Sequence, residues 1–198
     1  MAFPTTPVLD TFSGTLASWT NPIFGGTAVT ISGGQLAGTG ASDNAASWTS
    51  PFSSGDQEVY YEVPTYVASV ISLFFLIQAP GITCYAAEVV GDGTCRIRRF
   101  NNGVQTNLDT GSLTMASGDS FGASKVGATI SIYQKPSAGA WTLMDSIVDV
   151  APLNGPGQIG LDMIGTLMRF DNFGGGNVSG AQPSDDPPIG FSGRGAGW

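Results

Sequence analysis

The sequence predicts an all-β protein, an antiparallel sandwich of two stacked sheets. Helical periodicity is nearly absent, whereas short apolar or alternating runs return roughly every 8–12 residues with turn residues between them. Glycine is the commonest residue, with 29 among 198, and only 11% of the residues are charged. This composition is typical of a sandwich whose outer faces are neutral and polar.

Fourteen strands are predicted, a number that favours two sheets over one small barrel. In chain order they cover residues 8–12, 28–32, 35–37, 45–49, 57–66, 71–78, 83–90, 95–101, 104–108, 120–125, 129–134, 141–148, 157–164 and 167–173. The triple glycine at 174–176 resembles a phosphate-binding loop but lacks its helix and lysine, so a turn is predicted there.

One hairpin fixes the placement of both cysteines. Gly91-Asp92-Gly93 is a strong turn signal between two alternating runs. A hairpin centred on Asp92 pairs Cys84 with Phe100 and Cys95 with Val89. The two thiols then lie on opposite faces of the sheet, because side chains alternate along a strand. We therefore expect two buried free thiols and no disulfide.

The globular domain is predicted to span residues 1–176 and to be followed by an extended arm, residues 177–198. The arm is rich in Gly, Pro, Ser and Asp, and it is too polar to fold alone. Isolated anchors along it indicate docking onto another subunit, most simply in a homo-oligomer. The predicted anchors are Ile189, Phe191, Arg194 and Trp198. Asp185 and Asp186 would pair with arginines of a neighbouring copy.

Charge and hydropathy exclude two classes of partner. The net charge is −8, no histidine is present and only seven residues are basic, which argues against nucleic acid because phosphate binding needs clustered Lys and Arg. The most apolar run, residues 67–79, is too short to cross a membrane. The start of the chain lacks a signal peptide, so we expect synthesis in a host cytoplasm.

The order of the segments resembles that of the concanavalin A-like, laminin G-like jelly-roll superfamily, including its small phage and bacterial domains. The residues that carry the resemblance are 9–12 with Trp19, 31–36, 46–48, 71–77 with Tyr85, 98–103, 127–133, 157–161 and 169–173. The resemblance implies the fold more firmly than a function, since the superfamily includes lectins, glycosidases, adhesion modules and virion proteins. It also implies a structural calcium ion held by Asp10 and Asp171. The alternative is that these aspartates make turn or backbone hydrogen bonds.

The sequence contains no catalytic constellation that we can identify. Glycosidases of the resembling superfamily carry a Glu-x-Asp-x-x-Glu strand, which is absent here. Glu58 and Glu62 share a strand face but lie about 13 Å apart, too far for paired carboxylates, and a solvated face is the simpler interpretation. Without histidine, a Ser or Cys nucleophile also lacks its usual base. We expect no enzyme, unless carboxylates from separate strands converge.

A glycan site would use an exposed aromatic ring flanked by polar groups. The candidate residues are Trp141, Tyr85 and Arg98, with Trp141 best placed because it follows a loop. Trp19 and Trp48 fall where the resembling superfamily buries tryptophan. Arg96 and Arg98 alternate on one strand face and are expected to pair with acids of a neighbouring strand or of another subunit.

Together these observations favour a non-enzymatic structural protein of a phage virion, either a capsid decoration or a tail or fibre component, that assembles with other virion subunits through the arm. The alternative function is a carbohydrate-binding, lectin-like module that attaches to host-surface glycans. A polysaccharide-acting glycosidase is the third hypothesis.

If the arm drives assembly, light scattering after size exclusion will give an oligomer for the full chain and a folded monomer for a chain that ends at residue 176. Two monomers would contradict self-assembly through the arm.

Overall fold

A computed structural model describes residues 3–79 and 82–178, and within them every regular element is a β-strand. The strands form one eight-stranded and one seven-stranded antiparallel sheet, which confirms the predicted two-sheet sandwich. The predicted arm anchors Ile189, Phe191, Arg194 and Trp198 lie outside the described residues, as do Asp185 and Asp186. The described residues contain no helix of the length and apolarity that a membrane span requires.

Fifteen strands are present. They are β1 (Val8–Asp10), β2 (Trp19–Thr20), β3 (Val29–Ser32), β4 (Gln35–Gly38), β5 (Asp43–Trp48), β6 (Gln57–Thr65), β7 (Ile71–Gln78), β8 (Thr83–Val89), β9 (Thr94–Asn101), β10 (Val104–Ser112), β11 (Asp119–Val126), β12 (Thr129–Lys135), β13 (Thr142–Val148), β14 (Gln158–Ile164) and β15 (Arg169–Asn177). One sheet has the order β13-β12-β11-β6-β15-β4-β3, with β1 paired to β15. The other has the order β10-β9-β8-β7-β14-β5-β2.

Two differences from the predicted strands have physical reasons. β2 was not predicted, because its two residues are too few to show alternation; it pairs Trp19 with Trp48 of β5. The triple glycine 174–176 is not a turn, since it continues β15 against β6. A side chain at Gly174 would overlap the Tyr60 ring, and Gly175 has a φ of 151°. The glycines therefore extend the strand where larger residues would not fit.

The core lies between the two sheets and follows the two-residue period of the strands. Tyr61 of β6 stacks on Phe170 of β15 with ring centroids 4.1 Å apart. From the other sheet, Leu161 and Met163 of β14 face inward and are fully buried. Each such large side chain contributes about 1.5–3 kcal/mol by leaving water.

The hairpin between β8 and β9 has the predicted register. Cys84 lies opposite Phe100, and Cys95 lies opposite Val89. Cys95 belongs to the core, Cys84 is buried outside it, and both are free thiols. Burial raises the pKa of Cys84 to about 12, so this thiol is uncharged and unreactive at neutral pH.

The buried side-chain amide of Asn44, on β5, holds a loop and the neighbouring strand β14 in place. The Asn44 side chain accepts hydrogen bonds at Oδ1 from Thr39 N and Gly40 N, both at 2.8 Å. Its Nδ2 donates to Gly40 O, Ser42 O and, on β14, Met163 O. The side chain is fully buried. It therefore fixes the 39–43 loop against β14.

Replacing Asn44 should destabilise the domain, because Asn44→Ala leaves several buried backbone groups without partners. We expect a loss of about 2–4 kcal/mol in the free energy of unfolding, measured by urea denaturation. Asn107→Ala, at an exposed amide that bonds only Thr110, is the control and should change it by less than about 0.5 kcal/mol. Equal effects of the two changes would refute the structural role of Asn44.

Candidate functional site

A cavity of about 380 Å³ lies on the outer face of the seven-stranded sheet. We call it the cleft. Its size is within the range of small-ligand sites. It is lined by outward-facing residues of five neighbouring strands, by the loop at residues 21–27 and by single residues of three other loops. The lining residues that carry polar or aromatic groups include Phe24, Phe74, Glu88, Arg96, Arg98 and Asp162.

Strand registers place a row of side chains across the floor of the cleft. Arg96 of β9 lies opposite Glu88 of β8, Glu88 lies opposite Ser72 of β7, and Ser72 lies opposite Asp162 of β14. Because paired residues point to the same face, all four side chains point away from the core, towards the cleft. Residues far apart in the chain thus form one polar row.

The loop at residues 21–27 forms a wall of the cleft. Its backbone is tied to β5 by hydrogen bonds from Ile23 N to Ala45 O at 3.0 Å and from Thr27 N to Asp43 O at 2.8 Å. Phe24 has a φ of 56°, a conformation that costs a bulky residue about 1–3 kcal/mol and often marks a functional position. Its ring meets Phe74 edge to face at 5.1 Å. The wall therefore presents a rigid aromatic pair.

Arg98 forms an ion pair with Glu88 on the neighbouring strand, as the alternation predicted. Arg98 Nη2 lies 3.1 Å from Glu88 Oε2. Burial raises the pKa of Glu88, and the guanidinium groups of Arg98 and Arg96 oppose this shift. Arg98 Nε is buried and has no hydrogen-bond partner among the described residues. One donor in the cleft therefore remains unsatisfied.

Asp162 is the most perturbed acid in the cleft. Its residue is 6% exposed, and its Oδ1 has no hydrogen-bond partner in the described part of the chain. Burial, aided by the nearby carboxylate of Asp43, raises the pKa of Asp162 to about 7. The carboxyl group is thus close to half protonated at neutral pH. Perturbed acids in a cleft are typical of functional sites.

Arg96 lies at the β9 end of the row and is partly exposed. Within residues 3–79 and 82–178 its guanidinium makes no hydrogen bond and no ion pair within 4 Å. The sequence pattern groups Arg96 with Arg98, but Glu88, Asp162, Phe24 and Phe74 were not identified from the sequence. For Asp162 a signal was present: it stands between two apolar residues of β14, so alternation turns its side chain away from the core.

Tyr85 is not a glycan platform, which corrects the sequence-based assignment. The residue is fully buried in the core. Its hydroxyl donates to Asp149 Oδ2 at 2.7 Å and accepts from Leu153 N at 2.8 Å. Arg99 completes the cluster through Asp149 Oδ1 at 2.6 Å. The ring faces the opposite sheet and is inaccessible to a ligand.

Trp141 lies on the outer face of the eight-stranded sheet, away from Arg98 and the cleft. Phe3 packs edge to face on it at 4.9 Å and stacks on Tyr133 at 4.0 Å. Phe3 occupies the space above Gly122, where a side chain would collide with its ring. The N-terminal segment thus covers this aromatic surface. Trp19 and Trp48 pack against the core, as expected.

The two aspartates proposed for calcium do not form a metal site by themselves. Asp10 Oδ1 accepts from Phe12 N at 2.7 Å, and its Oδ2 accepts from Trp19 Nε1 at 2.8 Å. Burial, with the charges of Glu62 and Asp10, raises the pKa of Asp171. The described residues contain no group of three or more His, Cys, Asp or Glu side chains arranged to hold a metal. Asp10 thus has the hydrogen-bonding role that was the alternative to calcium.

Glu58 and Glu62 also have structural partners. Glu58 Oε1 accepts hydrogen bonds of 2.6 Å from Thr5 N, Thr6 N and Thr6 Oγ1. Glu62 Oε2 accepts from Asn172 Nδ2 at 2.8 Å. The expectation of a solvated strand face is wrong for Glu58, which is 1% exposed. This carboxylate anchors the N-terminal segment to β6.

Known structures share this fold. No known protein family and no curated protein matches the sequence. Similar solved structures include carbohydrate binding module CBM66 from Bacillus subtilis (TM-score 0.56, 16% identity, 81% of this chain and 92% of that chain covered) and Bacillus licheniformis beta-glucanase (TM-score 0.56, 13%, 85% and 96%). The Ca²⁺/Man2-bound exoplasmic/lumenal domain of VIP36 is also similar (TM-score 0.64, 9%, 92% and 91%). The concanavalin A-like jelly roll is thereby confirmed as the fold.

Asp162 should make the stability of the domain depend on pH. The folded state holds its proton up to a pH of about 7, whereas an unfolded aspartate releases it near pH 3.9. The unfolded state therefore binds fewer protons between these values, and stability falls as pH rises through this window. Asp162→Asn removes the titration.

We expect Asp162→Asn to gain about 2–3 kcal/mol over the wild type between pH 5 and pH 8, measured by urea unfolding at both values. Asp109→Asn, which removes a carboxylate outside the cleft, is the control. A pH-independent difference between Asp162→Asn and the wild type would refute the assignment.

Proposed function

We propose that the domain is a non-catalytic carbohydrate-binding module and that saccharides bind in the cleft. The observation that carries the proposal is the convergence of unsatisfied polar groups and an aromatic pair in one cavity on the outer face of the seven-stranded sheet. Fold relatives that include a carbohydrate binding module and a mannose-bound domain are consistent with it.

Sugar hydroxyls suit the unpaired groups of the cleft. Each hydroxyl both donates and accepts, so one ligand can accept from the guanidinium of Arg98 and donate to the carboxyl group of Asp162, both of which line the cleft. Arg98 Nε and Asp162 Oδ1 themselves are buried, so neighbouring side chains must move for a ligand to reach them. A buried polar atom without a partner costs about 1–3 kcal/mol. A saccharide that reaches these atoms would recover part of this cost, which favours polar ligands over purely apolar ones.

The aromatic pair supplies the apolar contact that saccharide sites use. Phe24 and Phe74 are both half-buried and border the cleft, so each keeps exposed ring surface. The C–H face of a sugar ring packs against such a surface while its hydroxyls remain free for hydrogen bonds. The hydrogen bonds from the 21–27 loop to β5 pre-organise this wall, which limits the entropy lost on binding.

A polysaccharide-acting glycosidase is the second candidate, and one observation favours it. Glu88 and Asp162 come from separate strands, converge on the cleft and are two strands apart, about 9.6 Å between Cα atoms. Hydrolysis needs two acids across such a gap. We favour binding without catalysis because Arg98 engages Glu88 directly. Release of reducing ends from a polysaccharide panel, abolished by Glu88→Gln, would instead support the enzyme.

Two parts of the sequence-based hypothesis stay outside this proposal. The phage virion role and assembly through the arm remain predictions; of the two, assembly depends on residues beyond 178, outside the described part of the chain. Calcium also remains a prediction. The hydrogen bonds that Asp10 accepts at both carboxylate oxygens argue against this residue as a ligand.

Phe24→Ala should weaken saccharide binding at least tenfold, about 1.4 kcal/mol, because it removes half of the aromatic wall. The measurement is binding of the full chain to an oligosaccharide array, followed by titration calorimetry with the best ligand. Leu143→Ala, which shortens an exposed side chain on the opposite sheet, is the matched control. Undiminished binding by Phe24→Ala, or no saccharide bound by the wild type, would contradict the proposal.

A further inference from the structure

The two ends of the cleft carry opposite charge. At the β9 end, the ion pair of Arg98 with Glu88 neutralises both groups, so the unpaired guanidinium of Arg96 leaves one positive charge in excess. Asp92 lies nearby on the hairpin turn but does not line the cleft. Hydrogen bonds from Thr94 and, to a smaller extent, the charge of Arg96 lower the pKa of its carboxyl group. The same carboxylate has no oxygen within 4 Å of the Arg96 guanidinium.

At the other end, Asp43 and Asp162 line the cleft, and neither forms an ion pair with a Lys or Arg of the described residues. The raised pKa of Asp162 is caused first by burial and then by the charge of Asp43, so this end repels further negative charge. Three strand spacings, about 14 Å between Cα atoms, separate Asp162 from Arg96. An anionic group on a ligand would therefore be directed to the β9 end.

From this polarity we infer that the cleft selects saccharides that carry a carboxylate, and that Arg96 binds this carboxylate. The inference rests on the proposed function and names the substrate class of the same site. A guanidinium is planar and donates two parallel hydrogen bonds to the two oxygens of a carboxylate, which a neutral sugar hydroxyl does not reproduce. The acidic end at Asp43 and Asp162 is then left to the neutral hydroxyls of the ligand.

The position of Arg96 suits recognition of a ligand better than a role in holding the strands together. Arg96 is the third residue of β9, which lies between β8 and β10, and it is opposite Glu88 and Thr110. The ion pair on this face uses Arg98. An arginine that is held at a cleft without a carboxylate partner is suited to accept one from a ligand.

The test compares matched ligands on one array. Oligosaccharides that contain galacturonate, glucuronate, mannuronate or sialic acid are each presented beside their carboxyl-reduced form, which keeps the stereochemistry and removes only the charge. We expect the full-length wild type to bind at least one acidic ligand tenfold or more tightly than its reduced form. Arg96→Gln should lose this preference, because it weakens binding of the acidic ligand at least tenfold more than binding of the reduced form.

Two variants separate recognition from general charge effects. Arg96→Lys keeps the charge but lacks the planar fork, so it should retain only part of the preference. Lys135→Gln removes a positive charge from the other sheet and should retain all of it. Thermal melting of each variant checks that it is folded.

The outcomes distinguish the two proposals. Equal binding of acidic and reduced ligands by the wild type overturns the carboxylate inference and leaves saccharide binding intact. An undiminished preference in Arg96→Gln also overturns the inference. Failure to bind any saccharide on the array removes the proposed function and, with it, the inference.

Discussion

The two-residue alternation of the seven-stranded sheet is the constraint on which both core and cleft depend. In β14, Leu161 and Met163 face the opposite sheet while Asp162 between them faces the cleft. A register slip of one residue would bury this aspartate in the core and expose its neighbours. The hairpin turn at residues 91–93 and the amide of Asn44 hold the register at either side. The same strand register therefore determines both the packing of the core and the arrangement of the cleft.

Buried polar atoms without a hydrogen-bond partner are concentrated at the cleft, where a ligand would bind. Three buried side-chain atoms lack a partner in the described residues, and two of them, Arg98 Nε and Asp162 Oδ1, belong to the cleft. The third is Thr5 Oγ1 in the N-terminal segment. Other buried polar groups are satisfied: Gln57, for example, donates to Ser54 O and Gly157 O and accepts from Leu76 N. Proteins tolerate the free-energy cost of such unpaired buried atoms chiefly at functional sites.

Turn residues and the two-residue period of the strands predicted the features that neighbouring residues determine. The turn at 91–93 and the strand period gave the register of both cysteines and the pairing of Arg98 with a neighbouring acid. The cleft itself was not predictable in this way, because its floor joins β8 and β9 to β14, and nothing in a single strand specifies a distant neighbour. Tyr85 was misassigned for the same reason: its inward neighbour Asp149 comes from a loop 64 residues away.

Glu58 holds the N-terminal segment on the side of the sandwich that lies away from the cleft. Thr5 and Thr6 bind the outer face of the eight-stranded sheet, and the last described residue, Val178, lines a small cavity on that same face. Both ends of the described chain are therefore on the side of the sandwich opposite to the cleft. A domain tethered there presents its cleft outward, and several copies on one support would engage a polymer together, turning weak individual contacts into avidity.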